Sequence, residues 1–174
     1  EVIKLSPLSK AAFKAHVVRS QIYMEKNEPE GAIEEYWSII KRFPNNEKID
    51  YYKALLSEAE LSTGEISNAI LTANSVKNSS DKDASQIALF VYAEAMFLNK
   101  RWVDAVNAYR EYMQRFPDSD LNPEIACRIS SVFQAKGEIG SAKSVLLSYM
   151  KNKGKNEIVE RCLNTMLSIY KEKK

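Results

Sequence analysis

The residues of this 174-residue chain whose types bear most on chemistry are few. They are one histidine, His16, two cysteines, Cys127 and Cys162, and carboxylate pairs such as Glu34 with Glu35 and Glu58 with Glu60. A metal centre needs several converging ligands, and acid–base work by an imidazole needs an orienting partner. With no second histidine to join it, His16 is expected to be a packing residue within a helix. The cysteines are too few and too far apart for a zinc cluster. They also hold different places in the repeat register set out below, so two separate thiols are expected rather than a bridge. Two cysteines alone leave the compartment and their redox state open. The carboxylate pairs are expected to solvate helix faces. Neither a glycine-rich phosphate loop nor a Gly-x-Ser-x-Gly turn occurs among the five glycines. No catalytic residue, metal or cofactor is expected.

Composition points the same way. The chain is 45% hydrophobic and 28% charged, as ordinary globular proteins are. Its 25 Lys and Arg against 23 Asp and Glu give a net charge of +2, too small to imply a nucleic-acid surface. Lys151, Lys153 and Lys155, and the tail Lys171, Lys173 and Lys174, lack interleaved aromatic residues for base stacking and are expected to be solvated ends. No apolar run reaches the roughly 18 to 20 residues that cross a bilayer. The opening EVIKLSPLSK lacks the apolar core of a secretion signal. A start at Glu1 rather than Met is expected of a processed or trimmed product, which leaves signals and flanking domains open.

The elements that carry these residues are set by an internal repeat. Residues 32–46, AIEEYWSIIKRFPNN, and 105–119, AVNAYREYMQRFPDS, match at Ala, Tyr, Arg, Phe and Pro without a gap. Ala69 falls between Ala32 and Ala105, and Ala142 continues the series at spacings of 36 to 37. Twelve residues before each alanine stands a second small residue: Ser20, Ser57, Ala93 and Ser130. The turns between recur as Asn27-Glu28, Gly64-Glu65, Lys100-Arg101 and Gly137-Glu138. Asn and Gly suit a helix C-terminus because they tolerate left-handed backbone, and Lys100 departs from that rule.

Apolar residues spaced by three and four, as in Phe13, Val17, Tyr23 and Met24, predict helices near 7–26, 30–43, 48–62, 66–77, 83–99, 102–116, 123–136, 139–152 and 156–172. Pro44 and Pro117 close second helices, and Asn122 with Pro123 is expected to N-cap and open the seventh. Small residues belong where the two helices of a hairpin touch, so Ser20 is expected against Ala32. In the last helix Leu163, Met166 and Tyr170 repeat the first-helix register. Leu167 there occupies the small column, because no second helix follows, and Glu157, Glu160, Arg161 and Asn164 are expected to face outward.

A small residue, an alanine twelve later, an aromatic four after that (Tyr36, Tyr109) and a closing proline (Pro44, Pro117) resemble the tetratricopeptide repeat across nearly the whole chain. The usual Trp and Leu-Gly of the first helix are missing. The resemblance implies an all-α, right-handed α-solenoid of four helical hairpins, at about 13–49, 50–85, 86–122 and 123–156, plus a capping helix at 156–172, in a single domain spanning 1–174. The endings RFPNN and RFPDSD resemble bacterial cell-envelope members, among them the Tol-Pal-associated coordinator and the outer-membrane assembly lipoprotein. A location in the bacterial periplasm or at the outer membrane is therefore expected over the cytoplasm.

Members of this family bind peptide segments on a concave face lined by first-helix side chains. Carried over by register, the groove holds Lys14, Tyr51 and Ile87 at the second place, Val17 and Phe90 at the fifth, Gln21, Glu58, Glu94 and Ser131 at the ninth, and Met24, Leu61 and Phe97 at the twelfth. The Lys and Asn clamp of chaperone-binding members is absent. Tyr51, Ile87, Phe90 and Phe97 beside Glu58 and Glu94 imply a groove for an apolar segment with a nearby Lys or Arg, unless neighbouring helices cover these side chains. The expected function is a non-catalytic interaction scaffold. A regulatory or targeting part of a larger enzyme and a self-assembling structural protein are the alternatives. The partner is expected to be a protein or peptide, not nucleic acid, and the oligomeric state is open.

Overall fold

The computed structural model describes residue 3 and residues 6–171, excepting the side chains of residues 169–171. Tyr170, Lys171, Lys173 and Lys174 therefore lie outside the described side chains, as does the expected helix end at 172. Among the described residues there are nine long helices and no strand: α1 (Lys10–Glu25), α2 (Pro29–Arg42), α3 (Ile49–Ser62), α4 (Ile66–Val76), α5 (Lys82–Leu98), α6 (Trp102–Arg115), α7 (Asn122–Ala135), α8 (Ile139–Lys153) and α9 (Glu157–Lys171). The first is shorter than the 7–26 expected. Pro7 and Leu8 lie in a turn, and the Ser9 Oγ accepts from the Ala12 N–H at 3.1 Å, capping the helix.

Four hairpin turns share one construction. Asn27, Gly64, Lys100 and Gly137 have φ of 57°, 81°, 58° and 77°. Each donates its N–H three residues back, to the carbonyls of Met24, Leu61, Phe97 and Gln134. The next residue in each turn, Glu28, Glu65, Arg101 and Glu138, donates five back, to Tyr23, Glu60, Met96 and Phe133. This paired closure satisfies helix-end carbonyls and requires a left-handed residue at its centre. Lys100 takes that conformation although its side chain disfavours it, because the closure and the flanking helices fix the backbone.

The small columns are buried as their spacing requires. Ala32, Ala69, Ala105 and Ala142 are fully buried, and Ser20, Ser57, Ala93 and Ser130 are at most 1% exposed. Asn122 departs from expectation. It is the first residue of α7 and does not cap it; its Nδ2 donates back to the carbonyls of Phe116 and Pro117 at 2.9 and 3.0 Å. The carbonyls left over at the end of α6 are the stronger demand there, and Pro123, which has no N–H, removes one of the donors that a cap would serve.

The helices gather into two compact units, residues 1–101 and 102–174, so the expected third repeat contributes α5 to the first and α6 to the second. In the first unit α1 packs on α2, α2 on α3, α3 on α4, and α5 on both α3 and α4. Ala32, Tyr36, Ile39, Leu56 and Ala59 form one core with Phe13, Val17 and Tyr52 against it, and Phe13 meets the Tyr52 ring edge-on at 5.6 Å. Ala54, Ala69, Ala73, Val76, Ala84, Ala88, Val91 and Ala95 form the next. In the second unit α7 packs on α6 and α8, and α9 on α7 and α8. Its core includes Ala126, Leu146 and Val159.

Cys127 and Cys162 form a disulfide joining α7 to α9, with Cα atoms 6.1 Å apart, so the expectation of two separate thiols is corrected. Their different register places are the reason they meet. The fifth place of one first helix packs toward the third place of the next, as Val17 and Tyr52 share one core and Ala54 and Ala88 share the other. Cys127 holds the fifth place and Cys162 the third.

Candidate functional site

In the first unit, the register residues fall on α1, α3 and α5. Lys14, Gln21 and Glu58 are exposed; Val17, Met24, Tyr51, Leu61, Ile87, Phe90 and Phe97 are half-buried; Glu94 is buried at 9% exposure. Half-burial has a definite source for several of them. Val17 and Met24 lean on the core around Tyr36 and Leu56, while Tyr51, Leu61 and Ile87 lean on the core around Ala54 and Ala88. Each thus has one side fixed by packing and the other turned to solvent. Ser131 lies in the second unit, exposed, with its Oγ donating to the Cys127 carbonyl at 3.0 Å.

Electrostatics mark the middle of α3. The Glu58 carboxyl is open to water on one side but has enough protein mass around it that desolvation raises its pKa above the ordinary value. The Tyr36 phenol is raised as well, first by burial, against a lowering hydrogen bond with Ser20, and then by the charge of Glu58. Tyr36 is thus a neighbour of Glu58 that the register of first-helix places did not single out, since it sits on a second helix. It also ties the small column to the groove side through Ser20.

Two carboxylates behave otherwise than expected. Glu35 is buried, not solvating: its Oε2 lies 2.6 Å from His16 Nδ1 and its Oε1 2.8 Å from Arg19 Nη2. His16 is 3% exposed and packs as expected, but with a charged partner nineteen residues on, and its Nε2 has no partner. Burying a carboxylate is tolerable only when such donors surround it. Glu60 is 2% exposed, and burial raises its pKa against a lowering hydrogen bond from Thr72. Glu34 is exposed, as expected. Among the described residues no group of three or more His, Cys, Asp or Glu is placed to hold a metal.

A cavity of about 400 Å³ opens in the second unit between α6, α7 and α8, lined by Arg110, Met113, Asn122, Ile129, Tyr149 and Lys153 among others. None of the residues assigned to the groove lines it. Among the described residues no helix is long and apolar enough to cross a membrane.

A sequence model of the tetratricopeptide repeat family matches residues 87–119. No curated protein matches the chain in sequence. In structure the chain is similar to a tetratricopeptide repeat protein from Parabacteroides merdae, at 14% identity and a TM-score of 0.73, over 93% of this chain and 62% of that one. It is also similar to MamA, at 17% identity and a TM-score of 0.61, over 88% of this chain and 95% of that one. At these identities the likeness shows the fold: an all-α helical-repeat architecture.

Proposed function

We infer, for a chain that carries the tetratricopeptide repeat at 87–119 and folds as such proteins fold, that it is a non-catalytic interaction scaffold whose groove takes a peptide segment of a partner. The observation that carries this is the row of half-buried Tyr51, Leu61, Ile87, Phe90 and Phe97 along α3 and α5, with Glu58 and Glu94 beside it. Apolar side chains already fixed by packing, as Tyr51, Leu61 and Ile87 are against the core around Ala54 and Ala88, bury area on binding without themselves having to order, which favours binding. The exposed Glu58 carboxylate favours a segment with a Lys or Arg next to its apolar anchor. An envelope setting fits the Cys127–Cys162 bridge, because disulfides persist in oxidising compartments such as the bacterial periplasm.

The test is selection of binding peptides from a random display library, followed by titration calorimetry. Phe90→Ser with Phe97→Ser is expected to weaken the selected peptides at least about tenfold, the scale of losing one good apolar anchor, with helicity retained. Selected peptides that bind the double variant undiminished would place binding elsewhere.

A further inference from the structure

The cavity between α6, α7 and α8 lies where the fourth copy of the repeat is hollow and the first and third are filled. Ala126 holds the place of His16 and Leu89, which are 3% and 0% exposed, and Lys153 holds the place of Phe43 and Phe116. Phe43 packs edge-on against Phe13, and Phe116 packs against Tyr112, with ring centres 5.2 and 5.1 Å apart. An alanine and a solvent-exposed lysine supply no such filling. Protein interiors are close-packed, so about 400 Å³ left open is a departure, and it has the size of a small-molecule site.

Its polar groups lie at two ends. Arg110 on α6 marks the first. Among the described residues it has no ion-pair partner, and the adjacent Glu111 is taken by Arg115 at 3.1 Å. Six residues further, about 9 Å along the helix, Phe116 closes α6 and the second end begins. There Asn122 Nδ2 and Lys153 Nζ both donate to the Pro117 carbonyl, at 3.0 and 3.2 Å, which brings the two side chains together. Asn122 is 3% exposed and its Oδ1 has no partner, so an acceptor in this wall calls for a donor. Lys153 keeps ammonium hydrogens beyond the one given to Pro117, and these call for an acceptor. Between the ends the wall is apolar, with Met113, Ile129 and Val145, and among the described residues no Asp or Glu lines it.

We propose that this cavity binds a small carboxylic acid with an apolar body and a hydroxyl at its far end. The carboxylate pairs with the Arg110 guanidinium, whose planar fork matches it. The hydroxyl donates to Asn122 Oδ1 and accepts from Lys153 Nζ, the double role that end requires. The apolar body covers Met113, Ile129 and Val145, which a bare anion would leave uncovered. This goes beyond the scaffold reading and shares no residue with the groove.

The experiment titrates the full chain with para-hydroxyphenylpropionate, followed by chemical shifts and calorimetry. Saturable binding is expected, with shifts on α6, α7 and α8 and none on α3 or α5. Phenylpropionate, which lacks the hydroxyl, and para-hydroxyphenylpropionamide, which lacks the charge, should each bind about tenfold or more weakly, the scale of one charge-assisted hydrogen bond. Arg110→Gln, a change at an exposed position, should weaken the acid about tenfold and leave the amide unchanged. Absence of saturable binding, or shifts confined to α3 and α5, would overturn the proposal. So would equal binding of phenylpropionate or of the amide, or an acid that binds Arg110→Gln undiminished. Inorganic phosphate that displaces the acid at equal concentration would reduce the cavity to a bare anion site and overturn it as well.

Discussion

The Ser130 Oγ donates to the backbone carbonyl of Ala142 across 3.1 Å, so the two small columns of the repeat touch at their last occurrence. Both residues are buried and belong to the paired helices α7 and α8. A larger side chain at either would separate the backbones. Ala142→Leu is expected to cost about 1 to 3 kcal/mol, seen as a lower midpoint in urea with an unchanged slope. An unchanged midpoint would mean that the columns are not where the helices meet.

Lys100 is the one turn centre of the four whose side chain resists the conformation it holds, with φ at 58°. Glycine carries no Cβ penalty there, so Lys100→Gly is expected to stabilise by about 1 kcal/mol. Gly64→Lys, the reverse change at the equivalent turn, should destabilise by a similar amount. Thermal melts of both variants check the pair of opposite signs.

The Cys127–Cys162 bridge closes a loop across a separation of 35 residues. Removing it by Cys127→Ser with Cys162→Ser is expected to cost about 3 to 4 kcal/mol on the loop-entropy scale. The loss should concentrate in amide exchange of α7 to α9, leaving α1 to α4 protected as before. Intact mass under non-reducing conditions, 2 Da below that of the reduced chain, verifies the bond.

Glu60 titrates against folding. Its folded-state pKa is raised above the ordinary 4.5, chiefly by burial, so the native state holds a proton that the unfolded state has released. Its stabilising contribution is therefore complete below pH 4.5 and is lost as pH rises through the raised value. Glu60→Gln should remove this dependence, giving a variant more stable than the parent at pH 7 and about equal at pH 4. Glu58 shifts in the same direction, so the parent's slope should shrink rather than vanish. Denaturation midpoints across this range decide the matter.

The hairpins were legible because one physical demand, close backbone approach, recurs at fixed spacing and leaves Ala32, Ala69, Ala105 and Ala142 as its trace. What escaped was whatever does not repeat. Glu35 has Thr72, Ala108 and Val145 as its register equivalents, so no column announces a buried carboxylate, and its partner His16 lies across a hairpin. The Cys127–Cys162 bridge is not legible in the places taken on one helix, because bridging depends on how successive helices face each other. Lys100 shows the converse: the closing hydrogen bonds to Phe97 and Met96 and the flanking helices hold a turn whose residue argues against it. For the groove, register placed the residues on α1, α3 and α5. Tyr36, beside Glu58 but on a second helix, could be found only from the packing.

The most direct test of the scaffold reading is a chemical-shift map of the full chain with a display-selected apolar peptide carrying one Lys. Perturbations confined to α1, α3 and α5, strongest near Tyr51, Glu58, Phe90 and Phe97, are the predicted result. Perturbations centred on the cavity lined by Arg110, Tyr149 and Lys153, with α3 and α5 unmoved, would contradict it.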